Sequence, residues 1–259
     1  MAGYLRLRQI CLVADALEPL VGDIAAILET GVCYRDPAVA HYGLENAVLP
    51  IGSSFLEVVA PTRSGTAAGR FLDRSAGHGG YMAIFDCDDP EPRRRHVEAL
   101  GIRVAHVIRH DDYVGVQLHP RDCRAAMIEF NHTRDGDALD GPYHPAGPGW
   151  PATRHSSPVT ALIEVEIESP DPDGLAAHWA RMLAVPLSRD DHGEARIVLA
   201  HGAVRFARVP AGQPECLGGL RIAVADVART CAAAARRGHA VTGTSFHLGG
   251  VRFRIVSPA

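Results

Sequence analysis

Four times along this chain a run of alternating or β-branched residues leads into a stretch with apolar residues at helical spacing, and no other feature limits the fold as much. Residues 5–14 read as a strand and 17–29 as an amphipathic helix. Residues 43–49 and 52–60 follow as strands parted by Pro50 and Ile51 and closed by Pro61, with a further short strand at 32–34. The pattern restarts with a strand at 80–87 and a helix at 91–100 stopped by Gly101, then strands at 102–109, 113–119 and 125–131. A third start covers 159–168, a helix at 174–183 capped by Asp171 or Asp173, and a hairpin of 196–200 and 204–209 across His201 and Gly202. The fourth has a strand at 220–225, an alanine-rich helix at 227–237 ending at Gly238, and a closing strand at 251–256.

A period of about 55 to 75 residues fits no solenoid and points to half-domains that pair, each pair enclosing one site. The stretch 135–157 is dense in Gly, Pro, Asp and His and lacks periodicity, which is the signature of a linker. The expected organisation is a first domain at 1–135, a linker at 136–156 and a second domain at 157–259. With 259 residues the chain exceeds the usual single-domain size of about 100 to 150 residues.

Composition removes several classes of function. A net charge of -4 with mixed signs gives no basic field for a phosphate backbone, so nucleic acid is not an expected partner and a small molecule is. Every basic side chain is arginine, which excludes Schiff-base chemistry on a lysine. The six cysteines are scattered without a CxxC pair and read as free thiols. No apolar run approaches the roughly 20 residues of a membrane span, and residues 4–13 lack the marks of a signal peptide, so the expected compartment is the cytoplasm.

The run Phe55-Leu-Glu-Val-Val-Ala-Pro61, then Phe71-Leu72, Gly79 to Asp89, His96 to Gly101, Leu118 to Asp122 and Met127-Ile-Glu-Phe130 resembles the glyoxalase and methylmalonyl-CoA epimerase branch of the vicinal oxygen chelate superfamily. The resemblance covers residues 5–133; for 159–258 it rests on the layout. It implies an α+β fold of four βαβββ modules paired into two glyoxalase-like domains, each a curved sheet with helices outside. It also implies a divalent metal held by one ligand from the first strand and one from the last strand of each module.

Carried onto this chain, those ligands fall on Gln9, Glu57 and Glu129, all oxygen donors suited to a divalent cation. The position usually held by histidine falls on Met82, or on Tyr81 with a one-residue slip, and Ni, Mn, Fe, Zn and Co are not distinguished. In the second domain the matching positions fall at Ile163 or Glu164 and at Gly219 or Leu220, so no metal site is expected there and ordinary ring-cleaving dioxygenase chemistry is not implied. The implied activity is a metal-assisted isomerase, epimerase or lyase acting next to a carbonyl. A metal-free protein that sequesters a small molecule is the alternative, and a homodimer is an assembly open to either.

Read from the residues themselves, Glu57 and Glu129 are carboxylates set singly in apolar strands, which makes them candidates for acid/base work. Tyr81 is a candidate hydrogen-bond donor to a substrate oxyanion. His78 is set beside glycines, His119 reads as a turn element before Pro120, and Glu164, Glu166 and Glu168 alternate as on a solvated strand edge.

Overall fold

The computed structural model describes residues 3–155 and 157–258; residues 1, 2, 156 and 259, which bound the ranges read from the sequence, lie outside the described residues. The chain opens with β1 (Leu5–Val13), α1 (Leu17–Leu28), β2 (Leu44–Ile51) and β3 (Ser54–Pro61). It continues through α2 (Ala67–Ser75), β4 (Gly80–Cys87), α3 (Pro90–Ala99), β5 (Val104–His110), β6 (Tyr113–Leu118), the short α4 (Pro120–Cys123) and β7 (Met127–Thr133). After α5 (Trp150–His155) come β8 (Val159–Ser169), α6 (Pro172–Leu183), β9 (Leu187–Arg189), β10 (Ala195–Val198) and β11 (Ala203–Arg208). The last elements are β12 (Cys216–Val224), α7 (Val227–Arg236), β13 (Ser245–Leu248) and β14 (Val251–Val256).

The strands form two seven-stranded sheets in the orders β2-β3-β1-β4-β7-β6-β5 and β13-β14-β12-β8-β11-β10-β9. In each of the four modules the first strand pairs in parallel with the last: β1 with β3, β4 with β7, β8 with β11 and β12 with β14. A parallel pair needs a crossover rather than a tight turn, and the helix after each first strand supplies it. The recurrence in the sequence is therefore the recurrence of this crossover unit.

By contacts the described residues divide into two compact units that mix the halves of the chain: those within 1–8, 82–141 and 164–218 in one, and those within 9–81, 142–163 and 219–259 in the other. The first is sealed around Trp179, fully buried, whose indole donates to the Cys123 carbonyl at 2.9 Å and packs edge-on against Phe85 and Phe206. There the buried Arg93 of α3 donates to the Leu183 carbonyl at the end of α6, at 3.2 Å. In the second unit α1 packs against α7, with Asp23 accepting from Arg237 at 2.5 Å and from His239 at 3.0 Å.

Several local expectations change. Pro50 does not break the chain; it lies within β2, opposite Phe55, and the reversal falls at Gly52, whose φ of 65° suits glycine. β2 is an edge strand, where a residue without an N–H does not interrupt the sheet. Residues 32–34 make only an isolated bridge, Tyr34 to Val48. α2 was hidden because its apolar face is short, though Thr66 caps it by accepting from the Gly69 N–H at 3.0 Å. The stretch read as a linker carries a 3-10 turn at His144–Ala146 and α5, both packed on β2.

Glu164, Glu166 and Glu168 are not on a solvated edge, because β8 is flanked by β12 and β11. Glu164 is buried and pairs with Arg196 at 2.8 Å, Glu166 pairs with Arg205, and Glu168 lies beside the Cys216 thiol. Among the described residues no helix is long and apolar enough to cross a membrane.

Candidate functional site

Glu129 sits in the middle of β7, where alternation places Met127, Glu129, Asn131 and Thr133 on one face. The antiparallel register with β6 sets Gln117 opposite Glu129, Gly115 opposite Asn131 and Tyr113 opposite Thr133. All three donors of that corner converge on the carboxylate. The Tyr113 hydroxyl donates to Oε1 at 2.6 Å, the Gln117 amide to Oε2 at 2.8 Å and the Asn131 amide to Oε1 at 3.3 Å. Gly115 makes this geometry reachable: a Cβ there would lie 3.0 Å from the Tyr113 hydroxyl and 3.1 Å from Glu129 Oε1.

Glu129 is 3 % exposed, and burial pushes its pKa above the ordinary carboxylate range despite the opposing hydrogen bonds from Tyr113, Gln117 and Asn131. On β4, parallel to β7, Ile84 lies opposite Glu129 and Asp86 opposite Asn131, so Asp86 shares the face. Its carboxyl, also buried, is pushed up to about 6 by desolvation, which outweighs the attraction of Arg8 and Arg6. Arg6 reaches it only at 3.4 Å.

Gln9 and Glu57 form a second group, in the other compact unit. β1 and β3 run parallel with Gln9 opposite Phe55 and Cys11 opposite Glu57, so Gln9, Phe55 and Glu57 share one face. The Gln9 amide donates to Glu57 Oε2 at 2.8 Å and the Asn46 amide of β2 donates to Oε1 at 2.7 Å. The Gln9 carbonyl oxygen is buried and has no hydrogen-bond partner among the described residues. Beside this group the ring of Tyr143 stacks on Phe55 at 4.8 Å and Trp150 meets Phe55 edge-on at 5.2 Å. Gly147, with φ of 68°, lies so close to the Tyr34 ring that a Cβ would stand 2.5 Å from it.

The remaining expected residues have quieter surroundings. Tyr81 packs on Phe71 at 5.0 Å between ring centroids, and burial pushes its phenol up to about 12, so it stays protonated. Met82 is buried opposite Met127, one alternation from Glu129. His78 accepts from the Gly80 N–H at 3.4 Å, and His119 caps α4 by accepting from the Arg121 N–H at 3.3 Å. Nothing in the sequence alone singles out Tyr113, Gln117, Asn131 or Asn46 as partners of the two carboxylates. In β7 the signal is polar residues at every second position, Glu129, Asn131 and Thr133; Tyr113 and Gln117 stand on alternate positions of β6 around Gly115, and Asn46 follows Glu45 without any such recurrence.

The donor chemistry does not fit a divalent cation. Both oxygens of Glu129 and of Glu57 already accept from neutral hydroxyl and amide groups, and Met82 offers a soft thioether where imidazole would serve. Among the described residues no group of three or more His, Cys, Asp or Glu is placed to hold a metal ion.

Comparison with known proteins gives the same architecture. Residues 10–183 match the family model described as a glyoxalase-like domain. No curated protein matches in sequence. Among solved structures, a hypothetical protein from Staphylococcus aureus is similar with a TM-score of 0.68 and 13% identity, covering 98% of this chain and 100% of that one. A variant of 4-hydroxymandelate synthase from Streptomyces coelicolor is similar with a TM-score of 0.61 and 15% identity, over 92% of this chain and 76% of that one. Methylmalonyl-CoA epimerase from Streptomyces coelicolor is 23% identical over 50% of this chain and 98% of its own, with a TM-score of 0.46. Four crossover modules, their parallel first and last strands and a family match over most of the chain make this protein a member of the glyoxalase-like, vicinal oxygen chelate superfamily.

Proposed function

We propose that the protein is a small-molecule enzyme of glyoxalase type that moves a proton at a carbon next to a carbonyl, as an isomerase, epimerase or lyase. The observation that carries this reading is Glu129: a carboxylate buried in an apolar strand, held by three donors and shifted toward the range useful for proton transfer at neutral pH. Its ionised form would take the proton from the carbon and leave an enolate; its acid form would return that proton to the same or a neighbouring atom. Tyr113 and Gln117 fix the carboxyl's direction, which is the condition for efficient transfer. Glu57, clamped by Gln9 and Asn46, is the second candidate carboxylate, and Tyr81, protonated throughout, is a candidate hydrogen-bond donor.

The metal-assisted form of this chemistry would need Gln9, Glu57 and Glu129 as ligands, and the hydrogen bonds on both carboxylates speak against it. The second reading, a protein that binds a small molecule without turning it over, is favoured by Met82 at the usual imidazole position. Solvent-deuterium uptake into a panel of 2-oxo acids, 2-hydroxy ketones and acyl thioesters separates the two. Uptake that Glu129→Gln removes supports the enzyme. Saturable binding without uptake in the wild type supports sequestration.

A further inference from the structure

We infer that Glu57 and Glu129, although they occupy the strand positions at which metal-binding relatives carry ligands, are held in this chain by neutral hydrogen-bond donors and do not ligate a divalent cation. These carboxylates are those of the proposed proton transfer, and their hydrogen bonding is the same whether or not that transfer occurs.

A carboxylate offers about four acceptor directions on two oxygens. On Glu129 three are taken from within its own hairpin, by Tyr113, Gln117 and Asn131. These donors are built in by register, since Tyr113 and Gln117 flank the one glycine of β6 that lets the phenol fold over the carboxyl. A cation arriving at Glu129 would have to displace a 2.6 Å hydroxyl bond inside a site that is 3 % exposed.

Glu57 gives the same answer from the other unit. A metal shared by Gln9 and Glu57 needs the amide oxygen of Gln9 on the carboxylate's side. Here Gln9 turns its nitrogen to Glu57, and Asn46 adds a second N–H to the other oxygen. That arrangement satisfies an anion with donors, where a metal site would crowd acceptors around a cation. The carbonyl oxygen of Gln9 is buried and has no hydrogen-bond partner among the described residues. Met82, buried opposite Met127, completes the contrast, because a thioether does not compensate for the loss of a nitrogen ligand to a hard or borderline cation.

The test is metal binding, read independently of turnover. Mn2+ and Zn2+ are titrated calorimetrically into the full-length wild type, Glu57→Gln and Glu129→Gln, with circular dichroism melts to show that each variant is folded. The expected result is that neither substitution changes any affinity observed by more than about twofold, because second-shell losses at a true metal site already cost about 10- to 100-fold. A wild-type site of one equivalent whose affinity falls at least about tenfold in either variant overturns the inference. A measurement on the wild type alone guards against a variant that does not fold. Substoichiometric Mn2+ should leave the side-chain amide NMR signals of Gln9, Asn46, Gln117 and Asn131 unbroadened, and their selective loss would overturn the inference.

Discussion

Replacing Trp150 by alanine tests whether the segment between the two sequence halves is a tether or part of the core. Trp150 is 1 % exposed and its ring meets Phe55 edge-on at 5.2 Å, while Tyr143 covers the same Phe55 face to face. With Val48 and Ala146 these side chains form one buried cluster, and Cys33 and Tyr34 pack against it. An aromatic side chain buries about 150–250 Å², which at about 25 cal/mol per Å² corresponds to roughly 4–6 kcal/mol of transfer free energy. Measured Trp→Ala costs in cores are about 3–5 kcal/mol, which is the loss expected at Trp150. For a chain of this size about 1 kcal/mol moves Tm by roughly 2–4 °C, so Trp150→Ala should lower Tm by about 6–20 °C. Thermal melts followed by circular dichroism measure this, with urea midpoints in its place if the melt is irreversible. A Tm within about 2 °C of wild type would refute the reasoning and return the segment to the status of a solvated linker.

Other expectations follow from the same geometry. Gly115→Val should displace Tyr113 from Glu129, costing about 1–3 kcal/mol by overpacking, with the loss read from urea midpoints. Gly147→Ala should cost at least about 1–2 kcal/mol, because it combines a positive φ with a Cβ 2.5 Å from the Tyr34 ring. Asp86 has a folded pKa raised from 3.8 to about 6, so its contribution is fully present below the unfolded value and is lost as pH rises through that window. At about 1.4 kcal/mol per unit the loss is on the order of 3 kcal/mol between about pH 4 and pH 6. Asp86→Asn should flatten that part of the stability profile, and an unchanged slope would show that another group causes it.

The fold was legible because its information lies in periodicity. Each crossover helix followed a run of alternating, β-branched or apolar residues, and the change to helical spacing marked all four modules without any tertiary knowledge. What stayed hidden depends on neighbours distant in sequence. Residues 142–155 look like a linker until Tyr143 and Trp150 are seen to lie on Phe55, a contact across about ninety residues that no local pattern encodes. Pro50 reads as a break until β2 is known to be an edge strand. Glu164, Glu166 and Glu168 read as solvated until Arg196 and Arg205 arrive from the neighbouring hairpin.

The candidate site was half legible for the same reason. A lone carboxylate in an apolar strand is visible in one dimension, so Glu57 and Glu129 stood out. The groups that decide what those carboxylates do sit on adjacent strands, and the cross-strand register that brings Gln117 and Tyr113 to Glu129 is set by the hairpin of β6 and β7. Glycine at 115 was uninformative in the sequence, yet it is the residue that leaves room for the tyrosine to reach the acid.

The most direct test of Glu129 as the proton-carrying group is its own titration, followed by carboxyl-carbon NMR on protein labelled at glutamate, with Glu129→Gln to assign the signal. A midpoint clearly above the ordinary glutamate value of 4.5 is expected, because burial outweighs the three hydrogen bonds. A midpoint at or below 4.5 would mean that the donors dominate, leaving Glu129 a permanently ionised structural anion and removing the basis for the proposed proton transfer.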